Sequence, residues 1–210
     1  MLLYISQGLR PDICYAVNYL SQFSMATDNT HWQALEHLIA YLRGMLEDKI
    51  IISKEHKGTP NITCYVDANW GGEGNRSNHG FIIMHGRNPI SWQSKRQATV
   101  AASTAQAEYI ALSFAARECL WLSNLFGNFL HNKTPLLLSD NRMAIGITKE
   151  CISRKQTRHL IREFNLIIKY LVKKKLDLKW ISTKDQLADI LTKSIGPIAT
   201  KTFTKPLTQT

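Results

Sequence analysis

The sequence contains no apolar run approaching the roughly 18 residues that a membrane-spanning helix requires. Its four cysteines, at positions 14, 64, 119 and 151, form no CxxC pair or Cys–His cluster. This spacing argues against a structural zinc site and a dense disulfide framework, and we expect reduced, buried cysteines. After Met1 the chain starts with a four-residue apolar run, and this run is too short to be the core of a signal peptide. We therefore expect an intracellular protein with no membrane partner.

Acidic residues are also few, because 16 Asp and Glu face 26 Lys and Arg, for a net charge of +10. Hydrophobic residues make up 44% of the chain, so it can bury a core, and the charge favours a polyanionic partner. The excess is concentrated between 151 and 184, where ten cationic residues face two acidic ones. A solvated helix face can explain any single lysine, but this cluster indicates contacts to a phosphate backbone. We assign such contacts to Arg154, Lys155, Arg158, Arg162, Lys173, Lys174 and Lys175.

The N-terminal quarter is predicted to be mainly helical. Apolar residues recur at helical spacing across 13–23, and Thr30 and Gln33 have the spacing of a capping box, which predicts a second helix from Thr30. A short strand is predicted at 50–52. The polar stretch at 54–60 contains Gly and Pro and is the candidate domain boundary.

From residue 62 onward, strands and helices alternate in a way typical of an α/β domain. Strands are predicted at 62–70, 80–84, 90–92, 136–138 and 176–180, with a glycine-rich turn at 71–78. Helices are predicted after a second capping box at Ser103 and Gln106, after Asp140, at 157–173 and at 185–193. The tail from Gly196 is predicted to be disordered.

Four carboxylates fall at strand ends or helix starts of this region. Asp67 lies inside an apolar strand, where burial is costly unless the carboxylate is paired, hydrogen-bonded or metal-bound, and Asp140 follows the 136–138 strand. Glu108 and Asp189 open helices. The structural alternatives are a satisfied buried acid for Asp67, a helix cap for Asp140, and interaction with the helix dipole for the other two. Clustered acids without His or Cys suit Mg²⁺ or Mn²⁺, and two such ions roughly 4 Å apart can hydrolyse a phosphodiester.

Six blocks in a fixed order resemble one known family. They lie at 65–70, 76–80, 90–95, 103–112, 139–141 and 185–193. With them, the chain resembles the RNase H domain of copia-type (Pseudoviridae) retrotransposon Pol polyproteins. Residues 2–55 resemble the segment that links reverse transcriptase to RNase H in these polyproteins, and the resemblance covers about 1–195.

The resemblance implies a ribonuclease-H-like α/β fold, a mixed five-stranded sheet flanked by helices and preceded by a small helical segment. It divides the chain into a helical remnant at 1–55, an RNase H-like domain at 61–195 and a disordered tail at 196–210. The implied activity is metal-dependent hydrolysis of the RNA strand in RNA–DNA hybrids, with two Mg²⁺ or Mn²⁺ ions. The resemblance places the metal-binding, catalytic carboxylates at Asp67, Glu108, Asp140 and Asp189. The implied partners are hybrid or duplex nucleic acid and the rest of a Pol polyprotein, in the cytoplasm, the nucleus or a virus-like particle.

Several positions depart from the family pattern. Copia-type elements often have Glu at position 106, where this chain has Gln106. The resemblance favours Glu108 as the ligand, because Ala111 and Ala115 follow it at +3 and +7, as Ala follows the catalytic Glu in the wider RNase H family. His159 is assigned to nucleic-acid binding, where it would orient the substrate, with a surface or core histidine as the alternative. The Asp that usually follows it in the family is Ile161 here. Asn69 and Arg142 replace a frequent Asp and Gln. These departures leave a second function open, a catalytically silent remnant that binds nucleic acid or serves as an interaction or effector protein.

Overall fold

The computed structural model describes residues 1–47, 49–50, 52, 62–71, 76–126, 134–153 and 162–194. The predicted boundary at 54–60 and the tail from Gly196 lie outside the described residues. So do the first part of the basic helix and Ile51, the middle residue of the strand predicted at 50–52. Four residues assigned to nucleic-acid contacts lie outside them as well: Arg154, Lys155, Arg158 and His159.

Three helices occupy the N-terminal part of the chain. They are α1 (Leu2–Gly8), which the sequence pattern did not predict, α2 (Cys14–Ser21) and α3 (Asn29–Gly44). The cap predicted for the last of these is wrong. Asp28, not Thr30, accepts the backbone N–H of His31, at 3.0 Å, and its own N–H donates to His31 Nδ1 at 3.2 Å. A carboxylate ahead of the helix is the better acceptor, and the Thr30 hydroxyl donates to it.

The described strands form one mixed sheet. In chain order they are β1 (Thr63–Asn69), β2 (Asn78–His85), β3 (Asn88–Arg96), β4 (Leu136–Ser139) and β5 (Asp177–Trp180). Their order in the sheet is β3-β2-β1-β4-β5, with antiparallel pairing from β3 to β1 and parallel pairing from β1 to β5. The expected mixed five-stranded sheet flanked by helices is confirmed. Parallel pairing brings the carboxyl ends of β1, β4 and β5 to one edge.

The main core lies between the sheet and α4 (Thr104–Leu125), with α5 (Arg142–Ser153) and α6 (Arg162–Val172) alongside. Ala111, Ala115 and Ala116 are fully buried, and their small side chains let α4 approach the sheet closely. Ser103 caps α4 as predicted, accepting the Gln106 N–H. The Gln106 side chain, however, accepts from the N–H of Ala102 rather than from Ser103.

The closing segment is not one regular helix but two short 3₁₀ turns, at Thr183–Asp185 and Leu187–Leu191. The second turn packs on β2 at Gly80, where an added Cβ would lie 2.5 Å from the Cβ of Leu191. Only glycine permits this approach. Gln186 secures the segment by donating to the Val66 carbonyl at 2.9 Å. The closing segment is thereby held against both β1 and the neighbouring strand β2.

The N-terminal helices contact the sheet as well as one another. Trp92 on β3 donates its indole N–H to the Ser6 carbonyl at 2.7 Å, and Arg96 donates to Gln22 Oε1 at 3.0 Å. Cys14 packs in an apolar cluster with Ile82, Met84, Ile190 and Leu191. The division of the chain into 1–55 and 61–195 stays a prediction.

The described cysteines agree with the expectation from composition. Cys14, Cys64 and Cys119 are free and buried, as predicted. No helix within the described ranges combines the length and hydropathy needed to cross a bilayer.

Candidate active site

Three of the four predicted carboxylates meet where β1 and β4 end. Asp67 lies on β1, Asp140 directly follows β4, and Glu108 lies near the start of α4. One carboxylate oxygen from each residue lies within 4.8 Å of those from the other two. The three acids are far apart in sequence, so the parallel pairing of β1 and β4 and the packing of α4 bring them together.

Burial makes this cluster electrostatically unfavourable without a cation. The side chains of Asp67 and Glu108 are buried. Burial raises the pKa of Glu108 to about 9, with the nearby charges of Asp67 and Asp140 adding to the shift. Burial also raises the pKa of Asp67, although Lys193 and Thr192 oppose the effect. Glu108 Oε2 has no hydrogen-bond partner in the described part of the chain. A buried, unpartnered oxygen beside two further carboxylates is a donor set suited to a hard divalent cation.

The fourth predicted carboxylate, Asp189, lies beside this cluster and is paired with a lysine. Lys193 Nζ is 2.9 Å from Asp189 Oδ1 and 3.8 Å from Asp67 Oδ2. Burial raises the pKa of Asp189 to about 6, and the charge of Asp67 contributes. Burial acts to lower the pKa of Lys193, but Asp67 and Asp189 raise it above its ordinary value. The Thr192 hydroxyl also donates to Asp67 Oδ2.

Asp140 is positioned by two donors from the end of β5. The Thr183 hydroxyl donates to Asp140 Oδ2 at 2.8 Å, and the Trp180 indole N–H donates to the Asp140 carbonyl at 3.0 Å. The adjacent Asn141, not Asp140, provides the side-chain oxygen that accepts the Ala144 N–H in the first turn of α5. The Asp140 carboxylate therefore does not serve as the helix cap.

Four residues of the site were not predicted from the sequence: Trp180, Thr183, Thr192 and Lys193. Thr192 and Lys193 lie inside the 185–193 block and could have been considered there. Nothing local marks Trp180 or Thr183, whose roles depend on β5 lying beside β4.

The described lysines that were assigned to phosphate contacts lie away from the carboxylates. Lys173, Lys174 and Lys175 are exposed and precede β5, whereas the carboxylates lie at the carboxyl end of the neighbouring strand. At about 3.3 Å per residue, the four residues of β5 separate the two places by roughly 13 Å. Arg162 begins α6. The assignment of these residues to phosphate contacts stays a prediction.

Comparison with known proteins places the chain among transposon polyproteins. It is 31% identical over 202 residues to the retrovirus-related Pol polyprotein from transposon RE2 of Arabidopsis thaliana, a match covering 94% of this chain. It is 32% identical over 197 residues to that from transposon TNT 1-94 of Nicotiana tabacum, which covers 92%. The chain belongs to the copia-type retrotransposon Pol family. It spans 14% and 15% of the length of these two relatives.

This Pol-family chain is similar to other proteins as well. Secreted RxLR effector protein 161 of Plasmopara viticola is 38% identical over 124 residues, which cover 58% of this chain and 86% of the effector. No model of a protein family matches the chain. Among solved structures, LC11-RNase H1 in complex with an RNA/DNA hybrid has a TM-score of 0.47 at 20% identity, over 62% of this chain and 93% of that one. The foamy viral protease-reverse transcriptase has a TM-score of 0.49 at 14% identity, over 83% of this chain and 28% of that one.

Proposed function

We propose that this Pol-family chain is a metal-dependent endonuclease that hydrolyses the RNA strand of RNA–DNA hybrids. The observation that carries the proposal is the convergence of Asp67, Glu108 and Asp140, with oxygens within 4.8 Å of one another. Membership in the Pol family supports it, because copying RNA into DNA produces such hybrids.

The residues present fit Mg²⁺ or Mn²⁺, since every donor in the cluster is a carboxylate oxygen. Asp67, Glu108 and Asp140 would hold the metal, and two ions would activate water and stabilise the leaving oxygen. Asp189 is the proposed fourth ligand, and Lys193, 2.9 Å from its Oδ1, would compete with a metal for that oxygen. Thr183 and Trp180 hold Asp140 in place, and Thr192 does the same for Asp67.

The proposed partners are RNA–DNA hybrid or duplex nucleic acid and the remainder of a Pol polyprotein. The net charge of +10 supports the first, and the similarity to about a seventh of longer polyproteins supports the second. An intracellular location follows as a proposal from the same family membership. A catalytically silent interaction protein is the second candidate, favoured by the similarity to most of a protein named as a secreted effector.

A cleavage assay on the full chain separates the two candidates. We would incubate the protein with a hybrid labelled on its RNA strand, in Mn²⁺ and in Mg²⁺, and compare Asp140→Asn with the parent. Loss of one anionic ligand should abolish cleavage, a change of more than about a hundredfold, and leave hybrid binding nearly intact. Asparagine keeps an oxygen to accept from Thr183, so the fold should persist.

Asp177→Asn is the matched control, because Asp177 is an exposed acid on β5. Asp177→Asn should cut hybrid at the parent rate. The parent and both variants are purified in parallel, so that a contaminating nuclease would show as equal cleavage in all three. An Asp140→Asn protein that cuts at more than about a tenth of the parent rate would refute the site, because losing a metal ligand costs several kcal/mol. A parent that binds hybrid without cutting would favour the second candidate.

A further inference from the structure

A pocket next to the carboxylate site has no role in the proposed chemistry. It lies between α5 and the end of β5, is lined by Arg142, Ile145, Gly146 and Trp180, and has a volume of about 340 Å³. That volume is at the small end of the range for ligand pockets. Its wall is joined directly to the candidate active site, because the Trp180 indole N–H donates to the carbonyl of Asp140.

One wall of the pocket is formed by two neighbouring planar side chains. The Arg142 guanidinium carbon lies 4.4 Å from the centre of the Trp180 ring. Trp180 is 46% exposed although its ring is large and apolar, so core packing does not account for its position. The hydrogen bond to Asp140 holds the indole in place. The guanidinium lies over one face of the ring, so another planar group can stack on the outer face of the guanidinium or on the other face of the indole.

The α5 side of the pocket is open at Gly146 because glycine has no side chain. Gly146 lies in α5, and a Cβ added there would meet no atom within 4 Å. Ile145 beside it is nearly buried and contributes apolar surface to the lining. A glycine inside a helix lowers helix stability relative to most residues, so the space is kept at some cost to α5.

The chemistry of these walls selects one kind of occupant. An aromatic face and an apolar wall suit a nucleobase, and the positive charge of Arg142 suits the phosphate attached to it. A base inside a duplex is stacked on its neighbours and paired, so its faces are not free to stack on Arg142 or Trp180. The occupant must therefore be unpaired.

We propose that the Arg142–Trp180 pocket binds an unpaired nucleobase of the strand whose phosphates approach the carboxylates. The inference rests on the proposed function in one respect, namely that nucleic acid is held at Asp67, Glu108 and Asp140. It adds a preference: the chain binds hybrids that carry a single-stranded extension more tightly than it binds fully paired ones.

The test measures binding alone, by fluorescence polarisation of labelled hybrids in EDTA with the full chain. The probes are a blunt RNA–DNA hybrid and the same hybrid with a short single-stranded extension at one end or the other. The parent should bind an extended hybrid about tenfold more tightly, as expected for one base stacked on an aromatic ring. Equal affinity for blunt and extended hybrids would overturn the proposal.

Gly146→Leu is the decisive variant, since leucine fills space at the pocket, favours the helix and leaves the bonds to Asp140 intact. It should bind both probes equally and melt no lower than the parent. Arg142→Lys keeps the positive charge but removes the planar guanidinium, and it should lose most of the preference for extended hybrids. If Gly146→Leu melts at a lower temperature than the parent, Arg142→Lys becomes the variant that tests the pocket. Retention of the full preference in the decisive variant would refute the pocket.

Two matched controls test whether any similar change has the same effect. Gly44→Leu alters another helical glycine with open space around it. Trp121→Leu removes another exposed tryptophan, on α4, about 20 Å along the helix from Glu108. Both should keep the parent's preference, and loss of the preference in either would assign the effect to general destabilisation.

The cleavage assay distinguishes failure of this inference from failure of the proposed function. A parent that cuts hybrid but shows no preference for an extension refutes the pocket and leaves the nuclease proposal standing. A parent that prefers the extension, loses this preference in Gly146→Leu and does not cut keeps the pocket and refutes the nuclease. Preference for a peptide from the remainder of Pol over either hybrid would reassign the pocket to a protein partner.

Discussion

The ammonium of Lys193 lies 3.8 Å from Oδ2 of Asp67, although the two residues come from opposite ends of the α/β region. The same ammonium pairs with Asp189 at 2.9 Å, so one positive charge is shared between two carboxylates of the candidate site. The contact depends on Gly80, which lets the turn that precedes Lys193 approach β2 beside Asp67. Lys193 therefore balances part of the negative charge at the edge where the metal would bind.

Replacing Lys193 with methionine should have opposite effects on stability and metal affinity. The metal-free protein should lose about 1–2 kcal/mol, less than a fully buried pair would cost, because Lys193 remains partly exposed. Mn²⁺ should bind more tightly, since a like charge has been removed. Thermal unfolding with and without Mn²⁺, and calorimetric titration, measure the two effects. Lys95→Met, at an exposed position of β3, is the control. If Lys193→Met behaved like this control in both measurements, the role given to Lys193 would be contradicted.

Stability of the metal-free protein should fall as the pH rises, because of Glu108. Its pKa is about 9 in the folded protein against an ordinary 4.5, so between these values the folded state holds a proton that the unfolded state has lost. The free energy of unfolding should therefore decrease, at up to about 1.4 kcal/mol per pH unit from this residue. Glu108→Gln, neutral at every pH, should show a flatter profile in urea unfolding with EDTA. Parallel profiles would contradict the raised pKa.

The three lysines before β5 should contribute affinity for nucleic acid and not cleavage. Lys173→Gln, Lys174→Asn and Lys175→Gln together should weaken hybrid binding and reduce the salt slope by about 0.9 for each phosphate that is no longer neutralised. Asparagine is chosen at 174 because Lys174 has a φ of 53°. Arg87→Gln with Lys95→Gln, at the far edge of the sheet, is the control. An unchanged slope would identify the three lysines as solvated surface charge.

The N-terminal helices should be separable from the α/β region with a loss of stability. A chain that starts near Gly58 should fold, because the main core cluster contains no residue from 1–55. It should melt at a lower temperature, because Ile82, Met84, Ile190 and Leu191 no longer pack against Cys14. Any hybrid-cleaving activity should remain. Limited trypsin digestion of the full chain is the complementary test: first cleavage within 62–195 would show that the boundary at 54–60 is wrong.

Local sequence patterns were sufficient for most of the elements. Apolar periodicity placed α2 and α4, the content of β-branched and aromatic residues placed β1, and the hydroxyl of Ser103 placed the start of α4. These features depend only on residues close in sequence. The same reasoning misplaced the cap of α3, since Asp28 and Thr30 both have capping side chains and only the backbone conformation shows which accepts the His31 N–H. It also predicted one closing helix where two 3₁₀ turns occur.

Local sequence features identify which residues can form the site, whereas long-range packing selects the ones that meet. An aspartate inside an apolar strand and another directly after a strand are local anomalies, so Asp67 and Asp140 could be named from the sequence. That Lys193 neutralises Asp67, and that Trp180 opens a pocket beside Asp140, could not, because each contact joins segments distant in the chain. Such contacts are set by strand order, by register and by one close approach at Gly80, which are properties of the whole packed sheet.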